Sequence, residues 1–325
     1  MGDFTFLENK ITGKWVISSP RRASRPQEEN GTEPMCPFCP GREGEEKEVY
    51  RLGSVRVIPN KFPFAPIHEI IIHSPDHHKN FDQLPLPQIN LILQTYRRQY
   101  NEYSYKGQVY IFHNRGEKGG ESLPHPHSQL AVVPFNVKME IPPLNSVIAS
   151  DQRKRGNLPD LEDPHVESLD SPHDDNKKIA TSSSSMGTPR NDMVVETPQF
   201  SLFCPQTSQW PDEVWIAPKA RNKTFGETTD KDLLDLSQIL QRLIQIMCIR
   251  HDNNFPFNFY IYPGNDWYIR VIPRLKTLGG FELGTGVYVN TQDPKETMTF
   301  IKEHFDNSDV KNIKKDHLAG YSFHS

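Results

Sequence analysis

No uninterrupted apolar run in this 325-residue chain is long enough to cross a bilayer. Its opening residues, MGDFTFLENK, lack the basic-then-apolar pattern of a secretory signal. These two absences lead us to expect a soluble, cytoplasmic protein with no membrane partner. A basic excess is missing too: 37 Lys and Arg stand against 41 Asp and Glu, a net charge of −4. That balance argues against a nucleic-acid binder and leaves room for a small anionic ligand held by local Arg and backbone groups. Four cysteines are too few for a disulfide scaffold in a chain of this length. Cys36 and Cys39 therefore read as metal ligands or reduced thiols.

What the chain does contain, it contains twice. In the first half, Val55 to Ile58 and Glu69 to Ile72 read as strands. Ile89, Ile92, Leu93, Tyr96, Tyr100 and Tyr103 then fall at helical spacing, and Val109 to Phe112 is another strand. The second half repeats this with Phe200 to Pro205, Trp210 to Ile216, a helix bearing Leu233, Leu236, Leu240, Leu243 and Met247, and strands at 257–262 and 267–272. Glu213, Lys223 and Phe225 sit 144 residues after Glu69, Lys79 and Phe81. The pattern predicts a duplication with an α+β fold, antiparallel sheets carrying packed helices. Residues 150–190 are rich in Asp, Ser, Pro, Asn and Lys, with little to bury, and read as a linker or long surface loop. The expected division is 1–149, a linker at 150–195, and 196–325.

The chemistry concentrates in Asn114 to Gln129, where a Gly-rich loop runs into His125-Pro126-His127-Ser128-Gln129. In a strand, His125, His127 and Gln129 share a face. The second copy has no such histidines, so their role is chemical and belongs to the first half. Two thiolates at Cys36-x-x-Cys39 need two further ligands to close a structural zinc site. We take His77 and His125, with His73 and His78 as rivals that spacing alone leaves open. Such a site would be structural, with one Zn²⁺ per chain. His127 is then available to attack phosphorus as a neutral imidazole. Gln129, Ser122, Gly119 and Gly120 would supply donors for the charge on the phosphate. No DxD pair sits nearby to suggest an essential Mg²⁺.

The run Asn114-x-Gly116…Gly120-x-Ser122-x-Pro124-His125-Pro126-His127-x-Gln129 resembles the active-site signature of the galactose-1-phosphate uridylyltransferase family. That family is a branch of the histidine-triad superfamily in which the third His is replaced by Gln, as at Gln129. The likeness extends to Thr12-Gly13-x-Trp15, to Ser19-Pro20-x-Arg22-Ala23-x-Arg25-Pro26, to Cys36-x-x-Cys39, to Asn60-Lys61-Phe62 and to Ser74-Pro75-Asp76-His77. It implies two histidine-triad-like domains in a homodimer and zinc on Cys36, Cys39, His77 and His125. His127 would be the nucleotidylated nucleophile, with Gln129 and Ser122 on the transferred phosphate. Asn60 and Phe62 would lie at the nucleotide, Asn114 and Gly120 among the substrate contacts, and Arg22 and Arg25 on phosphates, within the chain or across the dimer.

The implied reaction is ping-pong transfer between a nucleoside-diphosphate sugar and a sugar phosphate or phosphate. Its leading form moves UMP between UDP-glucose and hexose 1-phosphate in galactose metabolism; the runner-up moves AMP from ADP-glucose to inorganic phosphate. A nucleotide-binding or hydrolytic relative without transfer, and a zinc-stabilised interaction protein, are the other readings. Three departures stand out. Trp267 to Ile272 lacks a His-x-His, so no second metal is expected. Ser128 replaces the uridylyltransferases' Gly. Gly279 to Gly286 looks like the plant-type ADP-glucose phosphorylase branch, and it places Phe281 and Glu282 among the expected substrate contacts.

Overall fold

The computed structural model describes residues 4–24, 36–41, 47–145 and 194–306. A hairpin of β1 (Thr5–Glu8) and β2 (Trp15–Ser18) opens the chain. The first half then runs β3 (Tyr50–Leu52), β4 (Val55–Pro59), β5 (Ile67–Ile72), α1 (Leu86–Tyr103), β6 (Gln108–Arg115) and β7 (His127–Val133). The second runs β8 (Val194–Glu196), β9 (Phe200–Phe203), β10 (Val214–Pro218), α2 (Asp230–Arg250), β11 (Phe257–Ile261) and β12 (Ile269–Pro273). Short α3 (Gly280–Thr285) and α4 (Pro294–Phe305) follow.

The expected strand–strand–helix–strand–strand order is present in each half, with one short outer strand added to both. The two sets do not remain separate sheets. They join into one ten-stranded sheet, ordered β3-β4-β5-β7-β6-β11-β12-β10-β9-β8, with every pair antiparallel. Read inward from either edge, the two halves have the same topology. The seam is β6 against β11, an edge each half would otherwise leave with unpaired N–H and C=O groups.

Both long helices pack on one face of this sheet. The α1 stripe of Ile89, Ile92, Leu93, Tyr96, Tyr100 and Tyr103 is buried as the spacing predicts. So is the α2 stripe of Leu233, Leu236, Leu240, Leu243 and Met247. Thr229 starts α2 with a capping box, its side chain accepting from Asp232 N while the Asp232 carboxylate accepts from Thr229 N. Strand residues from both halves, such as Val57, Ile111, Leu130, Val214 and Phe259, meet the helices in one continuous core. The residues at 146–193, which hold nearly all of the expected linker, lie outside the described residues. Among the described residues no helix is long and apolar enough to cross a membrane.

The opposite face differs between the halves. In the second it is floored with aromatics: Trp215 stacks on Tyr268 at 4.1 Å, and Tyr268 on Tyr262 at 5.1 Å. The Arg270 guanidinium is buried there against Glu213, which holds its pKa above the usual arginine range despite the cost of burial. Tyr268 Oη donates to Pro142 O at 2.6 Å, so the chain leaving β7 crosses over this floor. Glu69 and Glu213, equated by the 144-residue offset, in fact face opposite sides. Glu69 accepts from Gln99 and Tyr103 of α1, whereas Glu213 accepts from Arg270 and Trp215. A shift of one residue in a strand is enough to exchange faces.

Candidate active site

In the first half the open face carries the residues the motif singled out. Cys36, Cys39, His77 and His125 converge so that their ligand atoms all lie within 4.8 Å of one another. Each element contributes for a local reason. The Cys36–Cys39 turn is closed by Cys39 N donating to Cys36 O, and Arg56 of β4 reaches across to Phe38 O. Phe38 itself packs with Ile58, Ile70 and Ile72, anchoring the turn to the sheet. His125 Nε2 donates to Ser74 O at 2.8 Å, which leaves Nδ1 as the lone-pair nitrogen, 3.7 Å from Cys36 Sγ and 3.6 Å from Cys39 Sγ. A backbone partner that sets the tautomer of a ligating histidine is the usual arrangement around a protein-bound metal. His77 Nδ1 approaches Cys39 Sγ at 3.2 Å. Two sulfurs and two such nitrogens fit a tetrahedral zinc ion, and the four residues could hold a metal.

The rivals separate clearly. His78 lies beside His77, ring to ring at 4.9 Å, but outside the cluster. His73 is fully buried on the helix side, 2.8 Å from Ser128 Oγ and 3.2 Å from Tyr96 Oη.

Two residues past His125, at the start of β7, lies His127. Its Nδ1 is 2.9 Å from the carbonyl oxygen of His125 and donates to it. In the neutral ring this places the lone pair on Nε2. Phe38 covers the ring edge-on at 5.2 Å. From below, His113 Nδ1 donates to His127 O at 2.9 Å. Burial and the nearby His127 push the His113 pKa down to about 3, so this support is a neutral imidazole. Ser128, on the helix side of β7, bonds to His73, Tyr96 and His113.

Gln129 shares the face of His127, and its Oε1 accepts from His68 Nε2 at 2.9 Å and from Asn60 Nδ2 at 3.4 Å. His68 is a buried site residue that the sequence reading missed. Its signal was faint: a histidine among the apolar residues of β5, two positions before Ile70, which pairs with Gln129 across the β5–β7 ladder. Asn60 Oδ1 is occupied by the N–H of Phe62. Arg22 bonds to Phe62 O at 2.5 Å and stacks over Phe64 at 4.9 Å, within its own chain. Arg25 lies outside the described residues.

The Gly-rich loop corrects one expectation. The N–H groups of Gly119 and Gly120 donate to Gly116 O and Glu117 O, closing the loop's own turn, so they are not spare donors for a phosphate. Gly120 is required for its conformation, with φ +79°. Asn114 is held through Oδ1 by Asn258 Nδ2 at 2.8 Å. Ser122 is half-buried in the loop that follows. Phe281 is 57% exposed on α3, while the Glu282 carboxylate accepts from Lys276 and from Gly279 N. Among the described residues neither side chain bonds to the His127 face.

Residues 67–133, which span β5 to β7, match the family model described as galactose-1-phosphate uridyl transferase, N-terminal domain. The ADP-glucose phosphorylase of Arabidopsis thaliana is 25% identical, with 93% of this chain and 95% of that protein aligned. The galactose-1-phosphate uridylyltransferase of Thermotoga maritima is also 25% identical, over 91% and 96%. The Haemophilus influenzae enzyme of that name is 28% identical over 79% and 78%. Among solved structures, the Arabidopsis ADP-glucose phosphorylase with bound ADP-glucose superposes with a TM-score of 0.63 at 23% identity, covering 93% of this chain and 99% of that one. A uridylyltransferase superposes with a TM-score of 0.66 at 21% identity, covering 92% and 98%.

Proposed function

The chain is a relative of the galactose-1-phosphate uridylyltransferase family, and on that footing we propose that it is a nucleotidyltransferase working through His127. The observation that supports this is the Nδ1–H bond from His127 to the His125 carbonyl, a tautomer in which Nε2 would carry the attacking lone pair. Nε2 forms a bond to the α-phosphorus of a nucleoside-diphosphate sugar as the bond from that phosphorus to the bridging oxygen breaks. The sugar 1-phosphate leaves with the electron pair. A phosphate oxygen of the second substrate then displaces His127, restoring the free imidazole. Splitting one displacement into two in this way is covalent catalysis.

Gln129, Ser122 and Asn114 are the candidate donors to the nonbridging oxygens, where charge accumulates during transfer. A zinc ion on Cys36, Cys39, His77 and His125 would supply a cross-link between the N-terminal turn, the loop after β5 and the residue that anchors His127. The second half, whose equivalent face is filled by Trp215, Tyr262 and Tyr268, would act as scaffold. The division into residues 1–149 and 196–325, and the homodimer, belong to the same proposal.

For the donor we favour ADP-glucose, with inorganic phosphate as acceptor. Gly279 to Gly286 resembles the plant-type ADP-glucose phosphorylase branch, and Ser128 stands where the uridylyltransferases have Gly. The Arabidopsis ADP-glucose phosphorylase also aligns over 93% of this chain. UDP-glucose with galactose 1-phosphate is the second reading, supported by the relatives of that name. Incubation with each donor in the absence of acceptor, followed by intact mass, tests both. An AMP adduct absent from His127→Ala and discharged by phosphate supports the first; a UMP adduct discharged by galactose 1-phosphate replaces it with the second. No adduct with either donor would overturn transfer through His127.

A further inference from the structure

We infer that His68 is a positioning residue that, together with the Asn60–Phe64 loop, sets which way round the Gln129 amide points. An amide side chain has two nearly isosteric ends, so its useful end is defined only by its partners. Here those partners trace back to backbone N–H groups, which cannot reverse. Phe64 N–H donates to His68 Nδ1 at 3.3 Å, so that nitrogen carries the lone pair and Nε2 carries the proton of the neutral ring. Nε2–H then donates to Gln129 Oε1 at 2.9 Å. Phe62 N–H also donates to Asn60 Oδ1 at 2.9 Å, which turns Asn60 Nδ2 toward this pair, 3.2 Å from His68 Nε2 and 3.4 Å from the Gln129 oxygen.

The backbone N–H of Phe64 thus sets His68 Nε2–H on the Gln129 oxygen, and the Gln129 nitrogen is left as the end that faces a ligand. His68 and Gln129 are both buried, so water is a poor substitute for either bond. Phe64 packs against the His68 ring at 4.1 Å and holds it in the plane this requires. The loop that the resemblance assigns to the nucleotide is therefore wired to the phosphate donor. Occupancy of one bears on the alignment of the other.

This inference rests on the nucleotidyl-transfer reading for its kinetic consequence, although the hydrogen-bond polarity can be tested without it. In His68→Ala, Gln129 keeps only the longer 3.4 Å contact with Asn60, and the single-turnover rate of adduct formation from ADP-glucose should fall roughly 10- to 100-fold. The apparent affinity for the donor should stay within a few-fold, because the bond matters most when charge builds on the phosphate. His68→Gln, whose amide can restore a donor, should recover part of the rate. Adding His68→Ala to Gln129→Ala should cost little more than Gln129→Ala alone. Equal losses from His68→Ala in both backgrounds, or a loss confined to affinity, would overturn the inference.

Should wild-type protein form no adduct, the transfer reading fails by itself. The ¹⁵N spectrum of the His68 ring then decides the remaining point. A neutral ring protonated on Nε2, with that proton's signal moved by Gln129→Ala, upholds the arrangement; protonation on Nδ1 refutes it.

Discussion

His127 Nδ1 lies 2.9 Å from the carbonyl oxygen of His125, two residues back along the same chain. This short-range bond joins the candidate metal site to the candidate nucleophile. His125 is pinned through Nε2 to Ser74 O, and its carbonyl in turn orients the next imidazole. Preorganisation of this kind removes the reorientation that a free histidine would need before attack.

Replacing His127 by Ala should reduce turnover by at least about 10³-fold while leaving metal content and folding intact, since a lost covalent route cannot be made up by binding alone. Steady-state assay alongside metal analysis checks this. Retained turnover would place the nucleophile elsewhere.

The metal prediction separates two adjacent histidines. His77→Ala should lose the single bound zinc and lower the thermal midpoint, because metal binding and folding are coupled. His78→Ala should retain both, its ring lying outside the four-residue cluster. Metal analysis with thermal denaturation reads the difference, and equal losses in the two variants would contradict the ligand set.

Ser128→Ala leaves buried partners at His73 Nε2 and Tyr96 Oη without their shared hydroxyl. His73 Nε2 and Tyr96 Oη still lie 3.2 Å apart and keep each other as partners, so the expected cost in urea unfolding is that of a lost hydrogen bond, about 0.5–1.5 kcal/mol. An unchanged midpoint at unchanged slope would show that the network contributes nothing to stability.

Asp212 offers a prediction in pH. Burial alone would raise its pKa, but His251 Nε2 at 3.1 Å, the charge of Arg250 and the hydrogen bond from Thr297 outweigh it and hold the value at about 2. Its folded pKa thus lies below the ordinary carboxylate value, so the stabilisation is complete above about pH 4 and is lost as pH falls toward 2. The contribution is on the order of 2 kcal/mol at neutral pH. Asp212→Asn should be less stable at pH 7 and show a shallower decline below pH 4. Parallel stability–pH curves for the two proteins would remove Asp212 as a source of the acid sensitivity.

Much of this molecule was legible before any coordinates. Apolar residues at periods of two and 3.6 marked the strands and helices, because one-sided burial imposes those periods directly. The Cys-x-x-Cys turn and the His-Pro-His strand signalled their chemistry through residue types with few other reasons to occur together. Tertiary structure decided the rest, for reasons that no local pattern encodes. The fusion of two sheets into one depends on β6 meeting β11, strands more than 130 residues apart in sequence. His68 became a site residue only because the β5–β7 register sets Gln129 beside it. Gly119 and Gly120 are the local exception, their N–H groups being taken up by carbonyls three residues back in their own turn. Sequence determined which groups were available; long-range pairing decided which of them still had a free hydrogen bond to give.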